Sequence, residues 1–156
     1  MTTKKQVLKM ERVFDCTLDE MWAAWTDPEL FKRWITPFPG IDAEIHEMDV
    51  RVGGRLRFTM IDATGKRYPE EVGEYEVVRK PHEIVTFSAN EGRGDVFEGE
   101  PQRMKGRFEA VGPSKTKVHF ETDLPGDFPI EMAKGGFGSC FNKLETMLHT
   151  KRAGKA

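Results

Sequence analysis

The chain lacks most of the features that would assign it at once to a chemistry. It has only two cysteines, Cys16 and Cys140, with no CxxC spacing and no histidine nearby. That excludes a disulfide scaffold and a zinc ribbon. Both cysteines fall on apolar faces and are expected to be buried thiols, which fits a reducing cytoplasm. No apolar run is long enough for a spanning helix, and the polar start Met1–Gln6 does not resemble a signal peptide. Charge of either sign is close to balance, at −2 net over 156 residues, so neither nucleic acid nor an anionic membrane is favoured as a partner. HExxH, the nucleophile elbow, GxGxxG and the P-loop are all missing. No internal repeat or low-complexity tract is present. A chain of this length is read as one domain, residues 1–156 with its core over about 7–150, able to bury roughly 70% of its unfolded surface.

The richest stretch runs from Pro129 to Lys151. Ile130, Ala133, Phe137, Cys140, Phe141, Leu144, Met147 and Leu148 recur at three- and four-residue spacing, one apolar face of a long helix. Pro129 suits the first helical position, where its missing N–H has no partner to lose. Gly135, Gly136 and Gly138 interrupt good helix-forming sequence, so a close backbone approach or a break near Gly135 is expected.

Upstream, Val7–Phe14 alternates as a strand. Thr17-Leu-Asp-Glu20 has the capping-box pattern, and Leu18, Met21, Trp22 and Trp25 form the inward stripe of the helix it starts. Asp27-Pro28 closes that helix and opens another, striped by Leu30, Phe31, Trp34 and Ile35, before Pro37 and Pro39 end helical structure. From Ile41 the period becomes two. A weak strand places Ala43, Ile45 and Glu47 on one face, with Glu44, His46 and Met48 on the other. Gly53-Gly54 allows a turn, and Leu56, Phe58 and Met60 mark a clear strand. Asp62–Gly65 reads as a hairpin turn. Glu71–Val78 has Gly73, Tyr75 and Val77 on one face and Glu74 and Glu76 on a solvated face. Lys80-Pro81-His82 turns the chain into a strand over Glu83–Ser88. Ala89–Gln102, rich in glycine and charge, is expected to be a mobile loop, and its Arg93-Gly94-Asp95 a chance tripeptide. Met104, Gly106, Phe108 and Ala110, then Val118, Phe120 and Thr122, mark the last two strands. The result is an α+β layer: an antiparallel sheet with its helices on one face.

These motifs, in this order, resemble the activator-of-Hsp90-ATPase homologue (AHSA1-like) family of the START-like, or SRPBCC, helix-grip superfamily. The resemblance rests on Arg12-Val-Phe-Asp-Cys16, Met21-Trp22-Ala-Ala-Trp-Thr-Asp-Pro28 with Phe31 to Trp34, Asp49-Val-Arg-Val-Gly-Gly-Arg-Leu-Arg-Phe58, and Gly73-Glu-Tyr-Glu76 with Pro81 and Ile84-Val85. At the end it rests on Gly136-Phe137 and Lys143-Leu144-Glu145. It implies a curved antiparallel sheet of six to seven strands wrapped around the C-terminal helix, with two short helices after the first strand and a deep cavity between sheet and helix. Cys16, Phe137 and the Ile35-Thr36 pair depart from the family's usual Ala, Trp and Trp-Gly, and the last two lie near the expected cavity.

The resemblance and the aromatic content together nominate a ligand cavity lined by Trp25, Trp34, Phe38, Phe58, Met60, Tyr75, Phe108, Phe120, Phe137 and Phe141, with Tyr75 as its polar anchor. The same residues would equally serve as plain core. His46, His82, His119 and His149 are scattered and read as surface residues rather than bases. The expected ligand is a small apolar or amphipathic molecule, bound by a monomer or homodimer without metal or cofactor. Two alternatives stay open. One is a protein-partner module related to Hsp90 co-chaperones. The other is an enzyme of the cyclase or hydrolase kind.

Overall fold

The computed structural model describes residues 5–36, 39–88, 102–125 and 128–153. Phe38 and all of the expected loop Ala89–Gln102 except Gln102 lie outside the described residues; Gln102 itself begins a strand. The elements are β1 (Lys5–Phe14), α1 (Leu18–Thr26), α2 (Pro28–Phe31), β2 (Asp42–Met48), β3 (Arg55–Ile61), β4 (Glu71–Arg79), β5 (Glu83–Ser88), β6 (Gln102–Gly112), β7 (Lys115–Pro125) and α3 (Ile130–Ala153). The seven strands form one antiparallel sheet in the order β1-β7-β6-β5-β4-β3-β2. From β2 to β7 it is a simple meander. β1 closes one edge against β7, and β2 forms the other edge.

The helix pair must therefore carry the chain from one edge of the sheet to the other. Its local chemistry is as the sequence implies. Thr17 Oγ1 accepts from the Glu20 N–H at 3.1 Å while the Glu20 carboxylate accepts from the Thr17 N–H at 2.9 Å, a complete capping box. Asp27 then accepts from the Glu29 N–H at 2.9 Å and caps α2, with Pro28 at its first position. Along the way α1 sets Trp22 and Trp25 edge-on against Phe108 of β6, and α2 sets Phe31 against Phe58 of β3. The pair thus bridges the concave face, which a flat sheet could not allow.

Cross-strand registers show what the concave face carries. One row reads Leu8, Thr122, Met104, Thr86 and Tyr75; the next reads Met10, Phe120, Gly106, Ile84 and Val78. α3 lies over the β1 and β7 side of this face. Ala133 packs with Leu8 and Leu124, Phe137 meets Phe120 at 4.8 Å between ring centres, and Phe141 meets Phe120 and Phe14 edge-on. The helix pair and α3 are pinned together by polar contacts. Trp34 Nε1 donates to the Ala24 carbonyl at 2.9 Å. The Cys140 thiol donates to the Ile35 carbonyl at 3.5 Å. Lys143 Nζ donates to both the carbonyl and the hydroxyl of the buried Thr36, at 3.0 and 2.7 Å.

The structure corrects the strict alternation in three places. In β2 the register shifts between Ile45 and Glu47, so Met48, not Glu47, joins Ala43 and Ile45 against the core. In β4 a shift between Tyr75 and Val77 brings Val78 to the core in place of Val77. Ala110 is exposed, as is Val111 beside it: the rings of α1 reach only to Phe108, and the end of β6 projects past them. α3 is also unbroken at its glycines, and a Cβ added at Gly135 or Gly138 would meet nothing within 4 Å. Neither position serves a close backbone approach.

Close approach matters instead at Gly54 and Gly106. Gly53 and Gly54 form a turn that pairs its backbone with Tyr75 through two 2.9 Å hydrogen bonds. A Cβ on Gly54 would lie 2.0 Å from the Asp49 carbonyl oxygen. This accounts physically for the Asp49–Gly54 portion of the motif. A Cβ on Gly106 would lie 2.8 Å from the Trp25 ring, so the bare backbone of β6 is the seat on which that indole rests.

Candidate functional site

Of the ten candidate residues, Trp25, Trp34, Phe58, Tyr75, Phe108, Phe120 and Phe141 are buried in one continuous core, Met60 and Phe137 are half-buried against it, and Phe38 lies outside the described residues. Six of them form a connected set of rings. Trp25 contacts Trp34 at 4.9 Å, Phe108 at 5.2 Å and Phe120 at 6.4 Å between ring centres, and Phe120 and Trp34 continue to Phe137 and Phe141. Phe58 joins through Phe31, which touches it at 6.0 Å and Trp34 at 5.4 Å. The stripe analysis identified Phe31 as inward but not as part of the site. Its contact with the second Trp is what ties the edge side of the sheet to the centre.

Within this apolar interior two polar atoms stand out. The Tyr75 hydroxyl, on a residue 1% exposed, and the Trp25 indole N–H, on a residue 5% exposed, have no hydrogen-bond partner among the described residues. A buried phenol ordinarily finds a partner, and this one is buried without one among the described residues. Burial, and then the negative charge of Asp49, push the Tyr75 phenol well above its usual range, so it stays protonated and able to donate. The other ionisable groups nearby are quiet. Burial raises the Cys140 thiol to about 12, which keeps it neutral and poorly nucleophilic. Burial lowers Lys143, whose ammonium is already committed to Thr36. Both cysteines are buried thiols outside any disulfide, as expected. Among the described residues no group of three or more His, Cys, Asp or Glu side chains could hold a metal.

Two grooves lie outside the ring cluster, and none of the ten candidates lines either. One, of about 470 Å³, opens between α2 and the edge strand β2; Pro28, Glu29 and Lys32 face Ala43, Ile45 and Met48 across it. Met48 could be assigned here only after the β2 bulge was seen, because strict alternation turned it outward. The other, of about 450 Å³, runs along the outside of α1 past Trp22, Thr26 and Lys80.

The histidines are engaged in surface pairing. His119 sits between Glu11 and Glu109, its two ring nitrogens 2.8 and 2.9 Å from their carboxylates, and it is more enclosed than a solvent-facing residue would be. His46 meets Thr59 at 2.9 Å, His82 lies 3.3 Å from the Phe108 carbonyl, and His149 lies 3.8 Å from Asp15. Glu76 is taken by Arg103 through two 3.1 Å contacts, consistent with a solvated face rather than an acid–base pair with Glu74.

A curled seven-stranded antiparallel sheet, with short helices near the start and a long C-terminal helix laid in its concave side, is the helix-grip architecture. Solved structures share it across nearly the whole chain. A protein from Chromobacterium violaceum matches with a TM-score of 0.77 at 17% identity, covering 91% of this chain and 96% of its own. One from Staphylococcus epidermidis matches at 0.75 and 23% identity, covering 97% and 95%. The AHSA1-like protein from Aeromonas hydrophila matches at 0.74 and 18%, covering 94% of both. The chain belongs to the AHSA1 family, described as activator of Hsp90 ATPase homolog 1-like protein, whose profile matches residues 15–149. Comparison with curated proteins found no significant match.

Proposed function

We propose that this protein binds a small, largely apolar or amphipathic molecule between the concave face of the sheet and α3. The observation that carries the reading is the pair of unpartnered donors, Tyr75 Oη and Trp25 Nε1, held in an otherwise apolar aromatic interior. Buried polar groups are nearly always satisfied, and a few fixed polar groups among aromatic walls are the usual composition of a small-molecule site. Phe120, Phe137 and Phe141 would form the wall on the α3 side, and Trp25, Trp34 and Phe108 the wall under the helix pair. Entry would follow the groove between α2 and β2. There Ala43, Ile45 and Met48 line one side, and the contact between Phe31 of α2 and Phe58 of β3 would have to open to admit a ligand. Two buried thiols outside any disulfide suit a cytoplasmic setting for this activity.

Native mass spectrometry of the gently purified protein, with titration of an environment-sensitive apolar dye read through tryptophan fluorescence, tests the proposal. The expected result is a saturable one-to-one complex. Absence of both a bound mass and saturable dye binding by the folded protein would overturn it. A protein-partner role of the kind named in the family description would then be the better account.

A further inference from the structure

The two unpartnered groups also constrain which molecule can bind, provided the interior binding reading above holds. We propose that the ligand is a neutral molecule with a flat apolar body and at least one carbonyl-type hydrogen-bond acceptor, and that Tyr75 and Trp25 are the groups that select it.

Three features carry this. First, the interior offers donors. An indole N–H can only donate, and Tyr75 is held as the neutral phenol, so its O–H is available to donate too. A pure hydrocarbon would leave both unsatisfied. Second, the donors belong to well-separated parts of the concave face. Trp25 rests its six-membered ring on Gly106 of β6, with its N–H on the opposite side of the indole, while Tyr75 projects from β4, which lies two strands from β6 in the sheet. Together they suit an extended acceptor-bearing molecule or a flat one held at either end. Third, the interior is unsuited to an anion. Arg12 lies over the Phe14 and Phe141 rings and donates to Asn142, and Lys143 donates to Thr36 while the charge of Asp42 also acts on it, so neither cation is directed to Tyr75 or Trp25. Asp49 sends a negative field to the phenol. A carboxylate placed beside Tyr75 would be desolvated and would meet the negative charge of Asp49.

The test uses three naphthalenes of nearly one shape: acetylnaphthalene, ethylnaphthalene and naphthoate. Binding to the wild-type protein is read by tryptophan fluorescence and by the indole N–H resonances in a nitrogen-15 correlation spectrum, with the Trp25 signal assigned from the Trp25→Phe variant. Acetylnaphthalene is expected to bind about tenfold more tightly than either of the others. It should move the Trp25 indole resonance, which ethylnaphthalene leaves in place. A single ketone oxygen engages one donor at a time, so in Tyr75→Phe the ketone should lose part of its advantage over ethylnaphthalene and the Trp25 indole shift it causes should grow. Equal affinity for ketone and hydrocarbon would overturn the acceptor requirement while leaving the interior binding reading intact. Tightest binding by naphthoate would overturn neutrality. Failure of all three to bind would overturn this inference and the reading beneath it together. Should the Tyr75 variant not fold, the wild-type comparison decides alone.

Discussion

Tyr75→Phe is the most informative single substitution in the ligand-free protein. It removes one buried oxygen and changes almost nothing else. Ordinarily, losing a buried phenol hydroxyl costs stability, because its hydrogen bond goes and the former partner is stranded. Here there is no partner among the described residues to strand. Folding instead carries the desolvation penalty of an unsatisfied polar group, about 1–3 kcal/mol. Against this stands the dispersion lost with one heavy atom, about 0.1–0.2 kcal/mol for each of its few contacts. The balance is a stabilisation of about 1 kcal/mol, or about 2–4 °C in Tm for a domain of this size. Urea denaturation followed by far-ultraviolet circular dichroism would measure it, with an unchanged m-value as the control that the two unfolded states compare. A destabilisation of about 0.5 kcal/mol or more would refute the reasoning, since it would mean that the hydroxyl has a partner, whether protein or ordered water. With saturating acetylnaphthalene the sign should reverse, because the wild-type hydroxyl is then satisfied and the variant gains less from binding.

Four further outcomes follow from the geometry. Gly54→Ala should cost about 2–4 kcal/mol by denaturant titration, because its Cβ would stand 2.0 Å from the Asp49 carbonyl oxygen and backbone must move; a loss under about 1 kcal/mol would show the turn to be loose. Gly135→Ala and Gly138→Ala together should stabilise α3 by about 1–2 kcal/mol, since neither methyl meets anything within 4 Å, and a net loss would restore a packing role for these glycines. Native protein at pH 8 should leave both thiols unreacted with a chromogenic disulfide reagent, and denaturant should release both; rapid native labelling would contradict the burial of Cys16 and the raising of Cys140 to about 12. Hydrogen bonding to His119 lowers Glu11 and Glu109 from their ordinary value of 4.5, so below that value the unfolded chain binds protons first and stability falls as pH drops; Glu11→Gln with Glu109→Gln should flatten that slope between about pH 5 and 3, and an unchanged slope would remove these pairs from the acid response.

Local signals were legible and partner-dependent ones were not. The capping box at Thr17–Glu20, the Asp27-Pro28 junction and the stripe on α3 depend on residues within a turn or two of one another, and all stand as read. So does the hairpin at Asp62–Gly65, where Gly65 takes φ +90°. A β-bulge is different, because it exists only relative to the neighbouring strand. Nothing in Glu44-Ile-His-Glu-Met48 announces that His46 will be skipped in pairing with β3, and so Met48 was assigned outward. The same applies to Val77 and Val78. Gly106 was placed correctly on its strand, yet its role as the seat of Trp25 comes from an element some eighty residues away in sequence. Aromatic counting found the walls of the interior. It could not tell which polar atoms inside would lack partners, since that depends on every neighbour at once.

The division of labour in the fold explains why such a site would sit where it does. α3 and the edge of β1 and β7 are knit by aliphatic and aromatic packing around Leu8, Leu124, Ala133 and Phe120, while Lys143 and Cys140 tie α3 to Thr36 and Ile35 just past α2. Across the sheet, α2 is a single short turn of helix, capped by Asp27 and resting on β3 through the Phe31–Phe58 contact, and a groove already separates it from β2. An edge-to-face ring pair is worth only about 0.5–1.5 kcal/mol beyond its buried area, so shifting Phe31 costs far less than parting α3 from the sheet. Tyr75 lies toward this weaker side, on β4, with Trp25 next to Trp34 beneath the helix pair. Under the proposed reading, a ligand would be admitted where α2 parts from β3, and Tyr75 and Trp25 would meet it from the sheet and from α1.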